Sequence, residues 1–207
     1  MVSVYERELR RTTPAERTKR RLVTWGIALL GIVVLAFIYS GTAWLWFRPV
    51  LHKTLINKYA GEYKCDPLWV MAIIKTESGF WPQARSNRGA LGLMQLLPTT
   101  AREIAPEIGI QIQSDDDLKD PDTNLHLGVY YLTKLQQLYP DDDVAVLAAY
   151  NAGPGVTGQW RQGKPVLEIN DINYPETRKF VKNVERTYGF LKMMQGWKYL
   201  FGMAHGR

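Results

Sequence analysis

The hydrophobic pattern of the chain separates one long apolar run from a series of shorter amphipathic segments. The apolar run covers residues 22–47, a stretch of 26 residues without a charged side chain. A helix of this length is roughly 39 Å long, and the hydrocarbon core of a bilayer is ~30 Å thick. Trp25 lies near one end and Trp44 and Trp46 near the other, where aromatic rings favour the membrane interface. The pattern therefore predicts a transmembrane helix over residues 22–47 that contacts the lipid bilayer.

A cleaved signal peptide is the alternative explanation of this run. The run is longer than the apolar region of a signal peptide, and no clear A-x-A cleavage site closes it. The flanks indicate the orientation, because residues 1–21 contain seven Lys or Arg against three Glu and few basic residues follow the run. The positive-inside rule then predicts that residues 1–21 form a basic cytoplasmic arm. Residues 48–207 are expected to form an extracytoplasmic domain of a single-pass membrane protein.

Helix-capping signals and apolar residues at helical spacing predict that this domain is all-α. Asp66-Pro67 and Asp120-Pro121 each place a capping residue before a proline at the first helical position. No alternating strand pattern of useful length is present. The predicted helices cover about 51–60, 67–78, 98–108, 121–138 and 142–152, and a last long helix starts at residue 175. The buried stripe of the fourth is predicted to contain Leu125, Val129, Leu132, Leu135 and Leu138.

Charge and composition exclude several classes of function. The formal net charge is +6, but most of it lies in residues 1–21, so the rest of the chain offers no basic face for nucleic acid. Cys65 is the only cysteine, and no histidine has a ligand partner at i+3 or i+4, so no metal site or cofactor is predicted. The acidic runs 115–117 and 141–143 lack calcium-loop spacing and are interpreted as solvated helix starts. A G-x-G-x-x-G sequence at 153–158 follows a helix rather than a strand, so it predicts no dinucleotide site.

Glu77 is the strongest candidate for a catalytic residue. Ile74, Ile73 and Val70 precede it at i−3, i−4 and i−7, so Glu77 lies on the apolar face of its helix. It also lies in the last turn, where the helix dipole disfavours a carboxylate. Both effects raise the pKa of the carboxyl group, as a general acid near neutral pH requires. The alternative is a side chain that bends out to solvent at a frayed helix end.

Three further motifs add polar side chains at element ends, and each has a purely structural alternative. Ser86 and Gln95 lie in a glycine-rich segment that returns past the end of the Glu77 helix. The alternatives are a turn residue at Ser86, which is the better explanation of Ser86 taken alone, and a helix cap at Gln95. Tyr150 and Asn151 end a helix, where core packing and a terminal turn are the alternatives. Glu176 lies in the first turn of the last helix, where the dipole favours an ionised carboxylate and acidic residues are ordinary.

These motifs, in this order, resemble those of the soluble-lytic-transglycosylase type of peptidoglycan lyase, whose catalytic module is similar in fold to goose-type lysozyme. The resemblance covers about residues 55–195 and rests on four motifs: Glu77-Ser78, Gly92-Leu93-Met94-Gln95, Ala149-Tyr150-Asn151-Ala152-Gly153 and Pro175-Glu176-Thr177-Arg178. It implies a lysozyme-like helical domain with Glu77 as the catalytic acid and base. It also implies substrate-binding positions at Ser86, Gln95, Tyr150, Asn151 and Glu176. Phe180 departs from the family pattern, in which a tyrosine is common.

The implied reaction is cleavage of the β-1,4 bond between N-acetylmuramic acid (MurNAc) and N-acetylglucosamine (GlcNAc) in peptidoglycan glycan strands. The product end is a 1,6-anhydro-MurNAc, formed without water and without a cofactor, as part of bacterial cell-wall remodelling. A muramidase on the same fold, in which water attacks instead, is the nearest alternative. A non-catalytic peptidoglycan-binding subunit of an envelope complex is the alternative from another class. The desolvated position of Glu77 favours an enzyme, since a pure binder has no need of such an acid.

Overall fold

The computed structural model of the protein describes residues 14–39 and 51–202, with side chains described for residues 14–36 and 51–196. The chain divides into two units, residues 1–47 and residues 48–207. The described part of the first unit is one helix, α1, Pro14–Tyr39. Within the described residues, no helix has the length and apolar character needed to cross a bilayer. Residues 1–13 of the predicted arm and 40–47 of the predicted span lie outside the described residues.

The regular secondary structure of the second unit is helical in its described residues, as the pattern predicts. Only isolated β-bridges occur there, where Leu91 pairs with Arg85 and with Leu96. The α-helices are α2 Lys53–Glu62, α3 Pro67–Glu77, α4 Pro98–Ile104, α5 Pro121–Leu138, α6 Asp143–Ala152, α7 Pro154–Arg161 and α8 Pro175–Gly202. Short 3-10 helices cover Ala105–Ile108, Asp115–Lys119 and Ile169–Asp171.

The helix starts follow from the capping signals. The Asp66 side chain accepts a hydrogen bond from the Leu68 N–H at 2.8 Å, and the Asp120 side chain accepts one from the Thr123 N–H at 2.9 Å. These acceptors satisfy amides that have no partner inside the helix. The predicted stop at Gly153 is correct for α6. A further helix, α7, was missed, because Pro154 occupies its first position, where a missing N–H costs nothing.

The core is built around α3, which carries the candidate acid at its end. Five of its residues are buried: Trp69, Val70, Ala72, Ile73 and Ile74. α3 packs against α8 and α2, and α6 packs against α8 and α7. A second, smaller group of buried residues lies under the 79–97 segment and contains Leu91, Leu96, Ala101, Ile104, Ala105, Leu118 and Leu127. The acid-bearing end of α3 is thereby fixed from several sides.

Two details of the predicted core are wrong. Leu138 was placed in the buried stripe of α5 but is 53% exposed, because it is the last residue of the helix, at the edge of the packed region. Asp142 was interpreted as a solvated helix start but is only 3% exposed. Its carboxylate accepts hydrogen bonds from the Ala145 N–H at 3.0 Å and the Leu167 N–H at 2.9 Å. A buried carboxylate requires such donors, so Asp142 ties the start of α6 to the segment after α7.

Candidate active site

A cleft of about 560 Å³ lies in the second unit and contains all of the predicted site residues. It is lined by the end of α3, the loop after it, the end of α6 and the start of α8. The structure therefore brings together side chains that are up to 99 positions apart in the sequence. The six predicted residues that line it are Glu77, Ser86, Gln95, Tyr150, Asn151 and Glu176.

Glu77 is the last residue of α3 and so lies in its last turn, as the sequence predicts, although the helix ends one residue before the predicted Ser78. The Glu77 side chain is only partly exposed. Burial raises the pKa of its carboxyl group from 4.5 to about 8. No hydrogen bond or ion pair from the described residues stabilises the charged form. A carboxyl group in this setting is mostly protonated at neutral pH, which is the state a general acid needs.

The loop from residue 79 to residue 97 forms one wall of the cleft and is held to α3 and to itself by side chains. The Ser78 hydroxyl donates a hydrogen bond to the Leu93 carbonyl at 2.7 Å, which fixes the loop to the end of α3. The Gln95 amide donates to the carbonyls of Ala84 at 3.1 Å and Gly92 at 2.9 Å. The Ser86 hydroxyl accepts from the Ala90 N–H at 3.0 Å. Ser86 and Gln95 thus have a structural role in the loop as well as a place in the cleft.

Asn124 supports this wall from behind and was missed by the sequence analysis. It is completely buried in α5, and its side-chain oxygen accepts a hydrogen bond from the Met94 N–H at 2.7 Å. Its amide nitrogen donates to the carbonyls of Leu118 at 2.8 Å and Leu91 at 3.0 Å. Unpaired buried polar groups are costly, so the two bonds to Met94 and Leu91 hold the loop against α5, and the third bond ties Asn124 to Leu118. The only signal in the sequence was a polar residue next to an apolar stripe.

Tyr150 and Asn151 form the opposite wall at the end of α6. The Tyr150 hydroxyl donates to the Met94 carbonyl at 2.7 Å, which joins the two walls below the cleft. Burial, with a further contribution from the nearby Glu77 carboxylate, raises the pKa of Tyr150 well above its ordinary value, so the phenol stays neutral. The Asn151 side-chain oxygen accepts from the Thr177 hydroxyl at 2.8 Å. No described residue accepts a hydrogen bond from the Asn151 amide hydrogens, which can therefore donate to a ligand.

Glu176 and Phe180 contribute from α8. Glu176 lies in the first turn and forms an exposed ion pair with Arg88 of the opposite loop. The Phe180 ring lies parallel to the Tyr150 ring, with 6.4 Å between the ring centroids. Phe180, where a tyrosine is common in the family, therefore makes an apolar contact with Tyr150. The cleft is also lined by residues that the sequence motifs do not predict, namely Arg88, Leu97, Thr100, Tyr131 and Tyr174.

A desolvated carboxylic acid in a cleft can serve as the general acid that protonates the leaving oxygen of a glycosidic bond. Comparison with known families defines the class further: residues 54–173 match the Transglycosylase SLT domain family. The chain belongs to this family, and its fold is the all-helical, lysozyme-like fold of lytic transglycosylases.

Individual relatives agree with this assignment. A putative soluble lytic murein transglycosylase of Haemophilus influenzae is 40% identical over 141 residues, which are 66% of this chain and 24% of the relative. The membrane-bound lytic murein transglycosylase C of Histophilus somni is 38% identical over 62% of this chain and 39% of the relative. The solved structure of an inactive mutant of lytic transglycosylase Slt from Pseudomonas aeruginosa has a TM-score of 0.66 and 35% identity, over 72% of this chain and 25% of that chain. This chain therefore spans only about a quarter of the first of these relatives.

Proposed function

We propose that residues 48–207 form a peptidoglycan lytic transglycosylase domain that cleaves the β-1,4 bond between MurNAc and GlcNAc. The observation that carries this proposal is the Glu77 carboxyl group, whose pKa of about 8 keeps it protonated in an open cleft of a member of the SLT family. An open cleft suits a polymer that enters and leaves along its length. The proposed reaction is a lyase reaction of cell-wall remodelling that needs no cofactor.

Glu77 acts first as an acid and then as a base in this proposal. It protonates the glycosidic oxygen, and the bond to the anomeric carbon of MurNAc breaks as the GlcNAc hydroxyl leaves. The 2-acetamido group of the substrate stabilises the cationic anomeric carbon. The Glu77 carboxylate then takes the proton of the C6 hydroxyl as that oxygen bonds to the anomeric carbon, which closes the 1,6-anhydro ring and restores the acid.

The carboxyl groups in the cleft are consistent with a mechanism in which Glu77 alone is catalytic. Enzymes that hydrolyse glycosides usually use two carboxyl groups, one of them a nucleophile or a base for water. Among the residues described, the carboxyl groups that line the cleft are Glu77, which burial keeps protonated, and Glu176, which is exposed. We assign Glu176 to substrate binding together with Ser86, Gln95, Tyr150 and Asn151. Asn151 illustrates the role, since its amide hydrogens can donate to a sugar hydroxyl.

The mass of the products tests this proposal directly. Purified glycan strands incubated with the full-length protein should give new ends that are lighter than ordinary reducing ends by one water. Treatment with borohydride should leave these ends unchanged, because an anhydro ring has no free aldehyde. Products with reducible ends indicate a muramidase instead, and strands that stay intact despite binding indicate a non-catalytic subunit.

We also propose that residues 22–47 anchor the protein in the bacterial cytoplasmic membrane, with residues 1–21 in the cytoplasm and the catalytic domain outside. The uncharged run in the sequence supports this, as do the exposed apolar side chains of α1, including Leu22, Ile27, Leu30 and Val33. The described relatives include both soluble and membrane-bound enzymes. Anchoring would keep the enzyme on glycan strands near the membrane.

Membrane extraction tests the anchor. The full-length protein should stay with the membrane pellet after alkaline washing, which removes peripheral proteins. The double variant Leu30→Arg, Val33→Arg should shift into the supernatant, because each charge at the centre of a spanning helix costs about 2.5–3.5 kcal/mol. The matched control is Ala15→Arg with Thr18→Arg, at the start of α1 and outside the run 22–47, which should remain in the pellet. Release of the unmodified protein by alkali would contradict the proposal.

A further inference from the structure

Arg88 is the feature of the cleft that the proposed mechanism leaves unused. The charged residues that line the cleft, within the part of the chain that the structure describes, are Glu77, Arg88 and Glu176. Arg88 is thus the one cation among them. It projects from the loop between α3 and α4, whereas its partner Glu176 lies in the first turn of α8. The ion pair therefore connects two different walls of the cleft.

The Arg88–Glu176 pair costs little to break. The two side chains are 71% and 55% exposed, and exposed ion pairs contribute about 0–1 kcal/mol. No other hydrogen bond from the described residues holds the Arg88 guanidinium. Once separated, both groups are free to hydrate, so neither leaves a buried unpaired charge behind. A ligand that offers a carboxylate to Arg88 can therefore replace Glu176 without a large penalty.

We propose that Arg88 binds a carboxylate group of the glycan substrate and exchanges Glu176 for it when the strand enters the cleft. This inference rests on the proposed function and deepens it, because it assigns the recognition of substrate charge to one residue. The planar guanidinium can bind a carboxylate through two parallel hydrogen bonds. The released Glu176 carboxylate can then accept hydrogen bonds from sugar hydroxyls.

Peptidoglycan offers such a carboxylate from two sources. Each MurNAc carries a lactyl group, which is a free carboxylate when the peptide stem is absent. When the stem is present, the lactyl group is an amide and the free carboxylates lie on the peptide. Both sources offer the carboxylate that Arg88 is proposed to bind. Strands with and without peptide stems distinguish the lactyl carboxylate from those of the stem.

The test compares three soluble glycan substrates with full-length protein: strands with intact stems, strands stripped by an amidase, and stripped strands whose lactyl carboxylates have been converted to methylamides. Arg88→Ala should raise KM about tenfold on at least one carboxylate-bearing substrate, as the loss of an exposed charge-assisted hydrogen bond implies, with kcat unchanged. Arg88→Lys should recover part of the loss, since it keeps the charge but not the paired hydrogen bonds. The matched control is Arg85→Ala, which removes the same charge from an exposed position of the same loop outside the cleft.

Each outcome decides a separate point. A KM effect confined to intact strands assigns the carboxylate to the stem, and one confined to stripped strands assigns it to the lactyl group. An equal rise in KM on the methylamide strands overturns the inference, because Arg88 would then stabilise the cleft without binding a substrate carboxylate. Identical behaviour of Arg88→Ala and Arg85→Ala overturns it as well. Absence of cleavage of any substrate by the unmodified protein refutes the proposed function instead, so the two failures are distinguishable.

Discussion

Replacement of Glu77 by glutamine should reduce glycan cleavage roughly 100- to 10,000-fold, the contribution of a positioned general acid. Glutamine preserves the size of the side chain at the end of α3, but its amide cannot transfer a proton to the glycosidic oxygen. A relative of known structure is an inactive mutant in which a glutamate is replaced by glutamine. The measurement is the initial rate of release of soluble fragments from purified cell walls. Binding of glycan strands should persist, because the loss concerns the reaction.

Glu77→Gln should lose activity but gain unfolding free energy at high pH. This combination distinguishes loss of the chemical step from loss of the folded structure. The pKa of Glu77 is 4.5 in an unfolded chain and about 8 in the folded protein, so the folded state binds more protons between these values. The stabilisation of the folded protein that comes from protonated Glu77 is complete below pH 4.5 and is lost as the pH rises through 8. The neutral glutamine does not incur this loss. Glu77→Gln should therefore match the unmodified protein in urea unfolding at pH 4 and exceed its unfolding free energy at pH 9.

Glu185→Gln is the matched control, because Glu185 is exposed on α8 and does not line the cleft. It should leave the cleavage rate unchanged. Retention of substantial turnover by Glu77→Gln would exclude Glu77 as the acid. A Glu77→Gln protein that is inactive and also less stable at pH 9 would show that the substitution damages the site rather than its proton transfer.

The parts of the fold that sequence patterns predicted are those fixed by neighbours along the chain. Asp66 and Asp120 cap helices through amides two and three positions ahead, so a short window contains the whole interaction. The all-helical fold class and the family resemblance could be predicted for the same reason, since the motifs are local and lie in a fixed order. Both predictions are confirmed. Glu77 could be singled out because its apolar neighbours lie one and two turns behind it on the same helix.

Features that depend on distant partners could not be predicted in this way. Asn124 binds Met94 and Leu91, which lie 30 and 33 positions earlier, and nothing near Asn124 indicates that its side chain is buried. Asp142 resembles an ordinary helix start, and only the approach of Leu167 turns it into a buried junction. The cleft itself is a property of packing, since Arg88 and Glu176 are 88 positions apart. The roles of the predicted site residues remain predictions that substitutions must test.

Gly92→Ala should be the most destabilising single-methyl substitution in the loop that forms the cleft wall. Gly92 has a φ of +81°, and an added Cβ would lie 2.2 Å from the Leu118 carbonyl oxygen and 2.3 Å from the side-chain nitrogen of Asn124. Neither atom can yield cheaply, because these two atoms are joined by a hydrogen bond of 2.8 Å inside the core. We expect a loss of roughly 3–5 kcal/mol of unfolding free energy, measured by urea denaturation, from left-handed strain together with the overpacked contact.

Gly89→Ala isolates the cause of this loss. Gly89 has nearly the same φ, +82°, but an added Cβ there would meet no atom within 4 Å. It should therefore show only the left-handed strain, about 1–2 kcal/mol. The excess loss in Gly92→Ala measures how firmly Leu118 and Asn124 are held behind the loop. Asn124→Gly removes one of the two groups that the methyl group would strike, so the double variant should show a smaller excess. If Gly92→Ala costs no more than Gly89→Ala, the loop yields freely. The cleft wall that contains Gln95 is then not the rigid support that the buried hydrogen bonds of Asn124 indicate.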